Sequence, residues 1–353
     1  MPAISVDTFL ACSLMVMLVL SAMAGTSKVL YPYIHRADDE NLAERYMELS
    51  KYLLLNSGTP SDWGQNGNVI PSTFGLAKAS SDNPFELDTD KVSRLNSENL
   101  QSLTYAQIFT ISKIPDISFK MQIKPIFEVN IDLVSTFALA NETVYQFEIL
   151  AEKNGLPVTA DLAEYVIAEH YIESSSTYAP EGRAYANLSL SNSINGPALF
   201  VVLARSAYDA KIASFNAYAF AHNSADPKPR GAFLRQSPLD YTLNVSALHS
   251  DTVLSEVYAL SFNYNSTLIQ VAGNDQTATY NLPHFLDSSP TLIIATVWNA
   301  TSSFAEWTAY PQIPLEVGAN FAETSLSNVF THVYTVTINS VNYECTVWVG
   351  GPR

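Results

Sequence analysis

The residues of this chain that could do chemistry are scattered. Its six histidines, His35, His170, His222, His249, His284 and His332, never stand at a spacing that sets two on one helix face or side by side as metal ligands. Each reads as an ordinary surface or core histidine. No H-E-x-x-H, G-x-S-x-G or glycine-rich phosphate loop is present. Asp161 and Glu164 make the kind of carboxylate pair a glycosidase uses, yet an acidic chain produces such pairs by chance and nothing sets their separation in space. The cluster Asp82, Glu86, Asp88 and Asp90 has charge enough for calcium but lacks the ordered ligand loop with a central glycine and a terminal glutamate, so helix capping and solvation account for it better. The expectation is a protein with no catalysis, no metal and no cofactor.

Three other residue classes carry information. Asn141, Asn187, Asn244, Asn265 and Asn299 head N-x-S/T sequons, compatible with surface glycosylation, although a chain so rich in Asn, Ser and Thr yields about this many by chance. Of the two cysteines, Cys12 lies in an apolar run and Cys345 near the other end, which argues against an internal disulfide. Cys345 alternates with Tyr343, Val347 and Val349 and is expected to be a small buried hydrophobe on a strand, with an intermolecular bridge as the alternative. Trp298, Trp307 and Trp348 are expected to pack in cores and interfaces; a compact cleft lined by them would instead favour sugar or peptide binding.

The elements that must position these residues begin with ISVDTFLACSLMVMLVLSAMA, Ile4 to Ala24, which carries Asp7 as its single formal charge. A run of about 20 apolar residues suffices to cross a bilayer as a helix. Ala22-Met23-Ala24 before Gly25 also fits a signal-peptide cleavage site, so cleavage and retention both stand. Pro32 is expected to end or kink this helix, and a second, amphipathic helix to follow with Asp38, Asp39 and Glu40 in its first turn and Leu42, Tyr46, Leu49 and Leu53 on one face. The turn-rich stretch from Asn56 to Gly67 holds neither helix nor strand, and Trp63 is expected to pin it. Asp88 or Thr89 can cap a short helix through Val92 and Leu95.

From Ile117 the period becomes two: Phe119, Met121 and Ile123, then Phe127, Val129, Ile131 and Leu133, alternate with polar residues, and Tyr145, Phe147 and Ile149 continue the pattern. Further short strands follow up to a hairpin whose strands, Val333 to Ile338 and Tyr343 to Val349, are separated by Asn339-Ser340-Val341-Asn342, and Asp226-Pro227-Lys228-Pro229-Arg230-Gly231 is the best domain break. The fold class is mainly β, α+β when the helices are counted: a transmembrane helix and an amphipathic helix followed by two antiparallel β-sandwich-like domains, the first immunoglobulin-like or transthyretin-like. The boundaries are a helix over 1–31, a helical and loop connector over 32–115, and β domains over 116–236 and 237–353.

The runs Leu53-Leu54-Leu55-Asn56-Ser57-Gly58-Thr59-Pro60-Ser61-Asp62-Trp63-Gly64, Phe74-Gly75-Leu76-Ala77 and Leu87-Asp88-Thr89-Asp90-Lys91-Val92-Ser93-Arg94-Leu95 resemble a pattern of archaeal pilin-like surface proteins. The likeness covers roughly the first third of the chain, and its motifs are structural. It implies an N-terminal membrane helix, a long extracellular region, and for Asp7 a place near the processed N-terminus where an acidic residue takes part in assembly. The chain departs from the pattern in having no basic leader before the apolar run. Without the resemblance, Asp7 reads as a carboxylate wetted at the membrane surface or paired with a neighbouring subunit's terminal amine.

The net charge of −16 and a pI of about 4.6 exclude nucleic acid as a partner. The remaining expectations are lipid as a partner through residues 4–24, self-assembly through that helix, and a single-pass address at the cell membrane with the C-terminal region outside. The function expected is structural, a filament subunit or tethered surface module; a tethered binding protein is the runner-up and a secreted hydrolase the third choice.

Overall fold

The computed structural model describes residues 6–114, 117–299, 302–321 and 329–351, the side chains of 6–12, 24–41 and 302 excepted. The chain divides into two units between Lys51 and Tyr52. The first is helical: α1 runs Val6–Leu55, 50 residues, its last turn lying in the second unit. The two helices expected on either side of Pro32 are therefore one, and Asp38, Asp39 and Glu40 lie inside it rather than at an N-terminus. A proline removes a single backbone donor, and the Leu, Ala, Glu, Arg and Met residues beyond it are strong helix formers that carry the helix on. Among the residues whose side chains are described, no helix is long and apolar enough to cross a membrane; the apolar run from Ile4 to Ala24 extends beyond that set at both ends.

The second unit is mainly β and, among the described residues, contains five sheets. A terminal sheet orders β1 (Glu86–Leu87), β20 (Val329–Ile338), β21 (Val341–Gly350), β2 (Ser118–Pro125) and β19 (Leu315–Gly318). Its pairs are antiparallel except β1 on β20, which is parallel. A first outer sheet joins β3 (Glu128–Ala138) to β4 (Glu142–Lys153), whose other edge carries both β5 (Leu156–Pro157) and β8 (Arg183–Ser191). A first inner sheet orders β10 (Ala213–Phe220), β9 (Ala198–Ser206), β6 (Ala160–Ala168) and β7 (Tyr171–Ala179). A second inner sheet orders β14 (Asn265–Thr267), β13 (Thr252–Leu260), β17 (Thr291–Asn299) and β18 (Ser302–Tyr310). The second outer sheet orders β11 (Leu234–Leu239), β12 (Thr242–Ala247), β16 (Thr277–Asn281) and β15 (Gln270–Gly273).

Side-chain alternation shows how these sheets stack. On β9, Ala198, Phe200, Val202 and Ala204 pack with Phe147 and Ile149 of the outer sheet, while Leu199, Val201 and Leu203 pack with Tyr258, Leu292 and Ile294 of the other inner sheet. On β17, Ile293, Ala295 and Val297 turn instead toward Leu243 and Val245 of the second outer sheet. Each inner sheet is therefore buried on both faces, which is why β9 and β17 read as unbroken apolar runs rather than as alternating ones. Each outer sheet covers one side of its inner partner, giving two sandwiches whose inner sheets pack together.

The domain limits drawn from sequence shift accordingly. The break at residues 226–231 falls between β10 and β11, but β2, expected to open the first β domain, pairs with β21 from the opposite end of the chain. Alternation identifies a strand from neighbouring residues; its pairing partner lies far away in sequence and leaves no local mark. The C-terminal hairpin is present: Ile338 pairs with Val341 across Asn339 and Ser340, both at positive φ (48° and 66°) as a type I′ turn requires. The turn between β4 and β5 sits on Asn154 and Gly155, both at positive φ, and Leu156–Pro157 is already strand.

The connector is organised around two buried cations. Asp88 caps α2 (Thr89–Ser93) by accepting from the N–H groups of Asp90 and Lys91, so this helix is shorter than expected and stops before Leu95. Lys91, fully buried, donates to the carbonyls of Ser57 at 2.9 Å and Ala77 at 2.8 Å. Arg94, 1 % exposed, sends its five N–H groups to five carbonyls, those of Trp63, Asn66, Gly67, Val69 and Gln101. Its guanidinium lies 5.3 Å from the Trp63 ring centre. The indole in turn donates to Gly75 O at 3.1 Å. A Cβ at Gly58, where φ is +74°, would meet Thr73 O at 2.7 Å and Trp63 Nε1 at 2.8 Å, so the turn beside the indole demands glycine. The quoted runs between Leu53 and Leu95 are thus the parts of one small core.

Candidate functional site

Two sheet edges meet on one side of the second sandwich. β11 ends the outer sheet and β18 ends the inner one, and the connector segment 96–100 lies against them. Asn96 Nδ2 donates to Gln312 O at 3.0 Å, Asn99 Nδ2 to Pro238 O at 3.2 Å and Gln312 Oε1 at 2.7 Å, and Leu100 N to Ser237 Oγ at 2.8 Å. Where this segment stops covering the edges, a cleft of about 330 Å³ opens, lined among others by Glu98, Arg230, Arg235, Gln236, Glu306 and Trp307. That volume stands at the lower end of the ~300–1,000 Å³ usual for small-ligand sites.

The cleft is polar and its geometry is held from behind. Arg230 Nη2 donates to both oxygens of Glu98, at 2.6 and 2.7 Å, and the guanidinium lies 4.4 Å from the Trp307 ring centre. Phe215 meets that indole edge-on, with centroids 5.8 Å apart. Glu306, only 4 % exposed, accepts from the N–H groups of Gly231 and Phe233. Burial pushes its carboxyl above the ordinary range, opposed by hydrogen bonds from the backbone of Phe233, Gly231, Leu234 and Ala232. Gly231, at φ +77°, lets the chain fold around that carboxylate. Arg235 is exposed on β11, and among the described residues its side chain makes no hydrogen bond or ion pair.

A second buried carboxylate joins connector and sandwich. Asp90 accepts from Tyr310 Oη at 2.7 Å and from Asp240 N at 2.8 Å. Burial raises its pKa, with the Tyr310 and Asp240 hydrogen bonds opposing. With Asp88 a helix cap and Glu86 paired to Lys78 at 2.6 Å, three of the four clustered carboxylates have structural partners.

The residues singled out from sequence do not converge. Asp7 lies in α1, but its side chain is outside the described set. Asp161 and Glu164, three apart on β6, project to opposite faces of the first inner sheet; Glu164 is buried and takes a hydrogen bond from Ser175 Oγ at 2.7 Å. His222 is buried, its Nε2 donating to Ser191 O at 3.0 Å and its Nδ1 sharing a hydrogen bond with Tyr145 Oη at 2.8 Å. His170 meets Glu256 at 3.2 Å, and His284 stacks on Tyr241 at 3.5 Å. Among the described residues no group of three or more His, Cys, Asp or Glu could hold a metal ion. Cys345 is free and fully buried on β21, its thiol pushed up to about 12 by desolvation, which removes it as a site for an intermolecular bridge.

The sequon asparagines separate into two sets. Asn141 in the β3–β4 turn, Asn187 on β8 and Asn265 at the start of β14 are exposed. Asn244 and Asn299 are half-buried in strands, and Asn244 Oδ1 accepts from Thr279 Oγ1 at 3.0 Å. Of the three tryptophans only Trp307 reaches the cleft; Trp348 lies beneath Lys120 Nζ on the terminal sheet, 5.3 Å from it.

Comparison with family models and with curated proteins found no match. Among solved structures, a two-domain fibronectin type III segment of chicken tenascin is similar at 9 % identity, covering 53 % of this chain and 98 % of that one, with a TM-score of 0.18. At that score the likeness decides nothing; the architecture rests on the sheets described above.

Proposed function

We propose that this protein is a structural module of the cell surface, held in a membrane or in a helical assembly by the apolar part of α1, with the immunoglobulin-like sandwiches carried outside. The observation that carries this reading is the state of Leu14, Met15, Val16, Met17, Leu18, Val19, Leu20 and Met23, which are 50–71 % exposed on a helix. Covering side chains of this size is worth on the order of 10 kcal/mol altogether, so water is a poor surrounding for them. Lipid or other copies of the helix provide the cover, and Asp7, early in the helix, is the residue placed to take part in pairing between copies. The pilin-like resemblance of residues 53–95 supports the same reading.

The test is deletion of residues 1–30 in the producing cell, followed by membrane fractionation and electron microscopy of the surface. The module should move to the soluble fraction and any filaments should disappear. Unchanged membrane association and unchanged filaments would sink the proposal.

A further inference from the structure

The cleft between β11 and β18 has no part in anchoring, and its chemistry points to a ligand. We propose that it binds a short, uncharged saccharide. The formal charges on its walls sum to zero, Arg230 and Arg235 against Glu98 and Glu306; Arg230 and Glu98 pair directly, and Glu306 is withdrawn into backbone hydrogen bonds. Neither an anion nor a cation is favoured by such a balance, whereas a hydroxyl group, which both donates and accepts, suits it. Arg230 and Glu98 are also held side by side while remaining 35 % and 54 % exposed, a fixed donor beside a fixed acceptor. Two adjacent hydroxyls on a sugar ring need that arrangement. Leu248, 46 % exposed, supplies the apolar wall for the ring's C–H face, because Trp307 is already covered by Arg230.

Strand addition by a peptide, the usual occupant of a sheet edge, fits less well. It needs free backbone groups, and here Glu306 occupies the N–H of Phe233, Gln236 Nε2 reaches Glu306 O at 3.4 Å, and Gln312 Nε2 reaches Gln236 O at 3.5 Å. The cleft therefore presents side chains rather than a ladder. The neighbouring half of the same groove shows what such a surface receives: uncharged polar groups, the side-chain amides of Asn96 and Asn99.

The experiment uses the full chain in detergent, with saturation-transfer NMR and calorimetry on methyl glucoside, methyl mannoside, N-acetylglucosamine and maltose, and with glucuronate and a Ser-Asn-Gly tripeptide as comparison ligands. At least one neutral sugar should bind saturably, and Arg235→Ala and Glu98→Gln should each weaken it about tenfold or more, the loss expected when one charged hydrogen-bonding partner is removed. Near-UV circular dichroism of both variants should match the parent. Absence of saturable binding by every neutral sugar, binding indifferent to both substitutions, or tighter binding of glucuronate or of the tripeptide each overturns the proposal. Because the measurement is made in detergent, its failure leaves the anchoring role of α1 standing, and failure of anchoring leaves the cleft to be judged on its own.

Discussion

Two arginines of this protein lie over tryptophans, and they do opposite things. Arg94 faces Trp63 at 5.3 Å, is 1 % exposed, and touches no carboxylate; carbonyl oxygens of a turn-rich loop absorb all five of its donors. Arg230 faces Trp307 at 4.4 Å with its side chain 35 % exposed, and among the described residues only its Nη2 is hydrogen-bonded, to the one carboxylate of Glu98. The same pair of residue types thus closes one region and leaves another open. What separates them is the partner. Backbone carbonyls come from several points of the chain and draw it inward around the cation, whereas one solvent-exposed carboxylate fixes only an orientation.

The contrast can be broken at its stronger end. Arg94→Ala leaves five carbonyls without their donor in a closed core and should cost about 3–5 kcal/mol, read as a fall in the urea midpoint; a change within error would mean that the loop from Trp63 to Val69 holds itself. Next in size is Tyr310→Phe, which deprives buried Asp90 of a donor and should cost about 1.5–3 kcal/mol. The same measurement checks it, and Tyr258→Phe, whose partner Glu256 is half-exposed, serves as the milder control.

Glu306 sharpens the comparison through pH. Its folded pKa stands above the ordinary 4.5, so just above pH 4.5 the folded protein holds more protons than the unfolded chain. Stability therefore declines as pH rises through that window and is recovered on acidification. Glu306→Gln should flatten this part of the stability profile while changing stability near pH 7 by about 1 kcal/mol or less; an unaltered slope would show that Asp90, raised for the same reason, carries it instead. Smallest of all is Arg230→Ala, at about 0–1 kcal/mol, as an exposed pair allows. A loss comparable to that of Arg94→Ala would erase the distinction between the two sites.

Much of the β architecture was legible because burial on one face imposes alternation. Phe119-Met121-Ile123 and Tyr145-Phe147-Ile149 identify β2 and β4 unaided. The Asp88 cap was legible for a local reason too, and α3 (Tyr105–Ser112) is marked in the sequence by Thr104 and Gln107, a capping box three residues apart. The cleft was not legible. Glu98 and Arg230 are 132 residues apart, and the segment holding Arg230 carried only the Pro and Gly of a domain break. A lone Arg235 on a strand of an acidic chain gives no local sign of facing Glu306 and Trp307, because that meeting depends on two sheet edges from different parts of the fold.

The terminal sheet has a mechanical consequence. β2 and β19 are paired neighbours, yet everything from β3 to β18 lies between them in the chain, so both sandwiches hang from the sheet as one closed excursion. Tension applied between Tyr52 and Gly350 falls on the β2–β21 pair, in which Ser118 is the register partner of Gly350, and on the bonds that Asp90 and Asn99 make from the connector to the second sandwich; the sandwich strands are not extended until these contacts part. In a pulling experiment the terminal strands should yield first, followed by the large extensions of the sandwiches; a first rupture within a sandwich would refute this order. The surface these sandwiches expose is then kept in shape by strands that lie outside it.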